Sequence, residues 1–339
     1  MITFRYSLLS EYRSCLMGIA ILGVILAHSA VWAGNPLDLV CIVDPFARLV
    51  FTEGFLFLSG LGLYYSFTKK QDLKTYYKKR VLRLFIPFML IALPFYLIQF
   101  VEGQDDIGMF ILKETAFYFY IYGNNGMWYI SISLLLYLIF PLLYRFVFAN
   151  ISNTRIYFFR TLFLIGVAIG FNYVLMYGCN DYYLKVAIGI NKIPMFIIGM
   201  YIGYMSYNNV INSFSKVMII CLIIALLLYI CKTKILSLVC YSEQMIRICC
   251  MFSLSFTFSK LNQLLKKPIG LMEWFGKYTL ELYVFHMLNY NLLRHVIYEW
   301  INVSSNSNID VAIVLVNLIL SISLAKRINQ FVNFVTKKI

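Results

Sequence analysis

Charge is what this 339-residue sequence has least of: Asp, Glu, Lys and Arg together make up 13% of it, with 15 acids and 3 histidines in all. A soluble domain surrounds its core with charge and is typically about 45–50% apolar. Here 61% of the residues are apolar and the mean hydropathy is +0.78. That excess excludes an ordinary water-soluble fold, because only lipid can cover so much apolar surface. Long polar stretches are also lacking, and none after the last apolar run could fold as a soluble catalytic domain, so any chemistry is expected from helices and short loops. The eight cysteines, at 15, 41, 179, 221, 231, 240, 249 and 250, lack the paired spacing of thiolate metal sites. They read as small buried hydrophobes, and no metal is expected. The first apolar run lacks a small-residue cleavage site, so it is expected to stay as a helix.

What the chain has in quantity is apolar runs of about 18 residues or more, each long enough to cross ~30 Å of hydrocarbon. They predict an all-α, polytopic membrane helix bundle of about ten transmembrane helices, forming a single domain over residues 1–339. The helices are expected near 15–33, 47–67, 82–101, 127–148, 157–177, 183–205, 215–232, 236–258, 275–297 and 309–331. The weakly apolar stretch 107–122 is left as an interfacial segment. Most of the 29 basic residues fall in segments that share one side, including the cluster from Lys69 to Arg83, while Asp38, Asp44, Glu102, Asp105, Asp106, Asp181 and Asp310 fall on the other. Basic loops favour the cytoplasm, so both termini are expected there. The net charge of +14 therefore reads as topology signals and contacts for anionic lipid, and no nucleic-acid partner is expected.

An ionisable side chain at bilayer depth costs at least ~2.5–3.5 kcal/mol, so it must face protein or a wet cavity. His28 lies in the outer half of the first predicted helix, in GIAILGVILAH, and His286 in the middle of the ninth, in GKYTLELYVFH. Glu53 opens the second, in EGFLFLSG. At ~100° per residue, Arg13, Met17 and His28 fall near one face of the first helix. Each histidine is either a hydrogen-bonding link to a neighbouring helix or a functional group. Gly54, Gly60 and Gly62 fit a helix-packing face, and His295 an interfacial position. Arg80 and Arg83, in KRVLRLFIP, are topology anchors or, three apart on one helix face, a clamp for a phosphate-bearing ligand.

Taken in order, GIAILGVILAH, EGFLFLSG, KRVLRLFIP, WYISISLLLYLIFPLL from Trp128, IPMFIIGMYIG from Ile193 and GKYTLELYVFH resemble the acyltransferase-3 family of membrane acyltransferases. Bacterial members of that family O-acetylate surface polysaccharides and related glycans. The resemblance implies that His28 is the catalytic histidine and that Arg80 and Arg83 bind the acyl-CoA donor, acetyl-CoA. The family usually has Arg where this chain has Met17, and Arg13, one turn earlier on the same face, is the candidate to stand in. Glu53 replaces the usual Asp and is the candidate to orient His28. The acceptor, a glycan or lipid-linked sugar, is expected to meet Asn124, Asn125, Trp128 and Tyr129, the two aromatics serving as a sugar platform or as an interfacial belt. His286 is grouped with these acceptor residues, its role unassigned. The expected location is the bacterial cytoplasmic membrane. The rival reading is a polytopic transporter or exporter of a glycan, lipid or small acid; a transporter predicts internal repeats, and none is evident.

Overall fold

The computed structural model describes residues 3–33, 47, 49–124, 126–149, 153–231, 238–264, 267–304 and 306–337. Its helices, in chain order, are α1 (Ser7–Glu11), α2 (Arg13–Trp32), α3 (Phe51–Lys69), α4 (Leu73–Arg80), α5 (Ile86–Val101), α6 (Ile107–Glu114), α7 (Tyr118–Tyr122) and α8 (Trp128–Phe148). They continue with α9 (Thr154–Gly178), α10 (Asn180–Ile190), α11 (Ile193–Tyr207), α12 (Phe214–Ile230), α13 (Leu238–Leu264), α14 (Lys267–Lys277), α15 (Thr279–His295) and α16 (Ser307–Thr336). A π-helical turn, Val81–Phe85, joins α4 to α5. The described strands are β1 (Thr3–Arg5) and β2 (Ile211–Ser213), paired antiparallel with Thr3 opposite Ser213. The protein is thus all-α apart from this ribbon, and the stretch 107–122 forms the two short helices α6 and α7.

Six helical stretches among the described residues are long and apolar enough to cross a membrane: Arg13–Trp32, Leu73–Val101, Trp128–Phe148, Thr154–Gly178, Asn180–Tyr207 and Ser307–Thr336. This is fewer than the ten expected, and the four that fall short do so for visible reasons. The helix α12 is apolar but has 17 residues. The others, α3, α13 and α15, carry buried polar groups: Glu53 and Ser59, Gln244 and Arg247, Glu281 and His286. A helix enclosed by protein has no need of an all-apolar surface. The link between the seventh and eighth expected helices, 232–237, lies outside the described residues.

The chain divides into two compact units. The first comprises Met1–Ala20, Leu49–Tyr76 and Leu135–Lys277, the second Ile21–Arg48, Tyr77–Leu134 and Tyr278–Ile339. In the first, α3 packs against α11 along most of its length, with α12 on α13 and α9 on α11. The α3–α11 contact is close because small residues face each other: a Cβ at Gly60 would run into the Phe196 carbonyl, and one at Gly199 into the Phe57 carbonyl. The terminal ribbon is pinned by Phe4, fully buried with its ring edge-on to Phe252 at 5.2 Å. In the second unit, α15 packs against α16 and α5.

Candidate functional site

Residues four apart share a helix face, and two such stripes meet in the second unit. On α2 the stripe is His28 and Trp32, with rings stacked at 5.2 Å. On α15 it is Leu282, His286 and Tyr290. The stripes zip together: His28 Nδ1 lies 3.1 Å from His286 Nε2, and Trp32 stacks on Tyr290 with centroids 3.8 Å apart and planes within 4°. The other nitrogen of His286, Nδ1, is 2.7 Å from the backbone oxygen of Leu282. A carbonyl only accepts hydrogen bonds, so His286 Nδ1 carries a proton. In a neutral ring the His286 Nε2 is then an acceptor, and the bond to His28 requires the proton on His28 Nδ1. The His28 Nε2 is left with its lone pair. The chain of bonds thus sets both tautomers and turns one particular nitrogen of His28 into a base.

The surroundings hold this arrangement in place. His286 is 1% exposed, whereas His28 is half-buried. Asn317 of α16 donates to the His286 carbonyl at 3.0 Å and accepts from Asn289 at 2.9 Å, tying α15 to α16 through a buried polar ladder. Tyr283 lies with its ring 6.1 Å from that of His286 and donates through Oη to Gly126 O at 2.6 Å. Gly126 has φ +87°, a backbone conformation that residues with a Cβ rarely adopt. The bend leads into α8, where the Tyr129 ring meets Tyr283 edge-on at 5.5 Å and Trp128 is buried. Tyr129 thereby joins the histidine pair through Tyr283. Asn124 accepts from Gly126 N at 2.8 Å, and Asn125 lies outside the described residues.

Arg80 ends α4 half-buried, and Arg83 stands exposed in the π-helical turn. A π turn holds more residues than an α turn, so Arg80 and Arg83 do not share one helix face as the α-helical spacing of three implies. Such turns recur at functional sites. His295 sits near the end of α15, its Nε2 2.8 Å from Glu102 Oε2.

Glu53 belongs to the first unit and is committed there. Its Oε1 receives Arg247 Nη1 at 2.6 Å and lies 3.3 Å from Lys192 Nζ, while Thr52 donates to its Oε2 at 3.3 Å. Lys192 also donates to Thr52 Oγ1 at 2.8 Å, and Arg247 reaches Glu243 at 3.1 Å. The Phe51 ring lies 5.8 Å from Lys192 Nζ and 5.9 Å from the Arg247 guanidinium carbon, with Phe51 itself at φ +47°. This is an ionic knot in which Lys192 and Arg247 meet the buried Glu53 carboxylate, and Glu243 at its exposed edge balances the second positive charge. Arg13, in the same unit, donates through Nε to Leu58 O at 2.9 Å and lies across Gly62.

The histidines stood out in the sequence as ionisable groups in apolar runs; their aromatic partners, Trp32 and Tyr290, did not. The signal was present in the four-residue spacing that puts an aromatic one turn after each histidine. Lys192 and Arg247, the partners of Glu53, were likewise visible as cations within apolar stretches. Among the described residues no group of three or more His, Cys, Asp or Glu is placed to hold a metal ion.

The family model described as an acyltransferase domain matches residues 15–326. No curated protein and no solved structure gives a significant match.

Proposed function

Because the chain belongs to the acyltransferase-3 family, we propose that it moves an acetyl group from cytoplasmic acetyl-CoA to a hydroxyl of a cell-surface polysaccharide or its glycan precursor, with His28 as the general base. The observation that carries this reading is the directed chain from Leu282 O through His286 to His28, which leaves His28 Nε2 able to take a proton. The acceptor oxygen attacks the thioester carbonyl as its proton passes to that nitrogen, forming a C–O bond and a tetrahedral oxyanion. Collapse breaks the C–S bond, and the proton on His28 Nε2 goes to the departing thiolate. Throughout, His28 keeps its Nδ1 proton directed at His286 Nε2, which steadies the transient imidazolium.

In this reading His286 is a positioning residue, taking the orienting role expected of Glu53. Arg80 and Arg83 are the groups suited to the phosphates of the donor, as guanidinium forks fit phosphate oxygens. Tyr129, half-buried, suits a sugar face, whereas Trp128, expected beside it, is buried and packs behind it. Arg13, held on Leu58, supports α3 rather than the reaction. We take the chain to cross the bacterial cytoplasmic membrane ten times with both termini inside. The basic segments support that orientation, and the apolar neighbours of α3, α13 and α15 support their counting as enclosed crossings.

The test uses membranes from cells expressing wild type, His28→Ala, His286→Ala or His286→Gln, supplied with radiolabelled acetyl-CoA. His28→Ala is expected to lower transfer into glycan by about 10²–10⁴-fold, the usual worth of a general base. His286→Ala is expected to lose about 10–100-fold in kcat with the KM for acetyl-CoA unchanged, as for residues that orient a reacting group. His286→Gln, whose amide oxygen can accept from His28, regains part of it. Equal labelling in wild type and His28→Ala overturns the catalytic role, and no labelling in any membrane favours a transporter or exporter.

A further inference from the structure

The first unit contains a large apolar groove of about 630 Å³, within the range of ligand-binding cavities. Its walls are α9 and α12 and its floor is α11 and α13. Wall residues Leu162 and Ile220 are 45% and 57% exposed, so the groove opens on the face that meets lipid. Most of its polar lining is already satisfied internally: Thr161 donates to Tyr157 O, Gln244 to Asn191 O, and Asn212 to Tyr6 Oη.

One end differs. Among the described residues Lys216 is the single charged one lining the groove, and it lies in the first turn of α12. Ser213, which caps that helix without a side-chain hydrogen bond, has its hydroxyl oxygen buried with no partner. The first amides of α12 point the same way and favour an anion. From this polar end a stripe of Val217, Cys221, Ile224 and Leu228 runs along α12 inside the groove. The twelve steps from Lys216 to Leu228 span ~18 Å at 1.5 Å each. That is close to one leaflet, about half of the ~30 Å hydrocarbon thickness.

We propose that this groove is a binding site for one acyl chain of an anionic membrane phospholipid, its phosphate held by Lys216 and Ser213 at the start of α12. A positive end followed by a leaflet-long apolar slot is complementary to that one molecule: a neutral lipid would leave Lys216 uncompensated, and a free phosphate would leave the slot unfilled. The site involves none of the residues assigned to acyl transfer.

The full-length protein, purified and reconstituted in nanodiscs of mixed phosphatidylglycerol and phosphatidylcholine, is then stripped and its retained lipid measured by native mass spectrometry. Retention of phosphatidylglycerol at least about fivefold over phosphatidylcholine is expected, the factor one basic residue supplies at an anionic surface. Lys216→Gln should abolish that preference, and Ile224→Trp, which fills the slot, should lower retention of both lipids, with helical circular dichroism confirming folding. Equal retention of the two lipids by wild type means ordinary boundary lipid and overturns the proposal. So does an unchanged preference in folded Lys216→Gln, or unchanged retention in folded Ile224→Trp. Should Ile224→Trp not fold, Val217→Phe fills the same slot nearer its mouth and is read the same way. No acyl transfer is measured, so the result stands apart from the fate of the enzymatic reading.

Discussion

An imidazole acts as a base only through a nitrogen that has given up its proton, and the choice of nitrogen in His28 is made two bonds away, by a main-chain oxygen on α15. His28 was legible as a candidate because an ionisable group in an apolar run is costly. Its tautomer was not, since it depends on His286, 258 residues further along. The Glu114 carboxyl shows the same dependence on surroundings. It ends α6, outside the apolar crossing helices, with one oxygen buried and without a hydrogen-bond partner, and burial pushes its pKa from 4.5 up to about 7. A carboxyl raised on folding is held protonated by the folded state, so its contribution is complete below pH 4.5 and is lost as pH rises through 7. Thermal unfolding in detergent should therefore show wild type losing on the order of 2 kcal/mol relative to Glu114→Gln between pH 5 and pH 8. Parallel pH dependences in the two proteins would mean that the carboxyl is not buried in its charged form.

Among the elements, α3 best shows how packing replaces apolarity. Thr52, Glu53 and Ser59 lower its hydropathy, yet 13 of its 19 residues are buried, because α11 and the rest of the first unit cover it. The approach rests on backbones in contact at Gly60 and Gly199, so a side chain at either must push two helices apart. Gly199→Val is expected to destabilise the protein by about 3 kcal/mol, at the upper end for overpacking, with Gly166→Val as the control, since a Cβ there meets nothing within 4 Å. Detergent thermal-shift midpoints would measure it; equal midpoints for the two variants would show that α3 and α11 stand further apart. Of the glycines expected to form a packing face, Gly60 meets α11, a partner set only by folding, while Gly54 faces Val50 and Met251 and Gly62 faces Arg13. The π-helical turn that follows Arg80 and contains Arg83 was invisible in the same way, because nothing in that apolar-basic stretch distinguishes hydrogen bonds four residues apart from bonds five apart.

For the molecule as a whole, the distribution of basic residues is what supports the proposed orientation. A cytoplasmic C-terminus predicts that a fluorescent protein fused after Ile339 glows and that an alkaline phosphatase fused there is inactive. Active phosphatase would invert the topology and put Arg80 and Arg83 on the wrong face for a cytoplasmic donor. What the amino-acid sequence determined by itself is membrane residence, helical class, family and the candidate His28, because apolar run length and the cost of a buried charge are local properties. The tertiary structure decided the partners: His286 for His28, Lys192 and Arg247 for Glu53, and a lipid-facing slot ending at Lys216. These pairings follow from which helices pack together, and uniform apolar faces hold little record of their neighbours because nearly any of them can bury against any other.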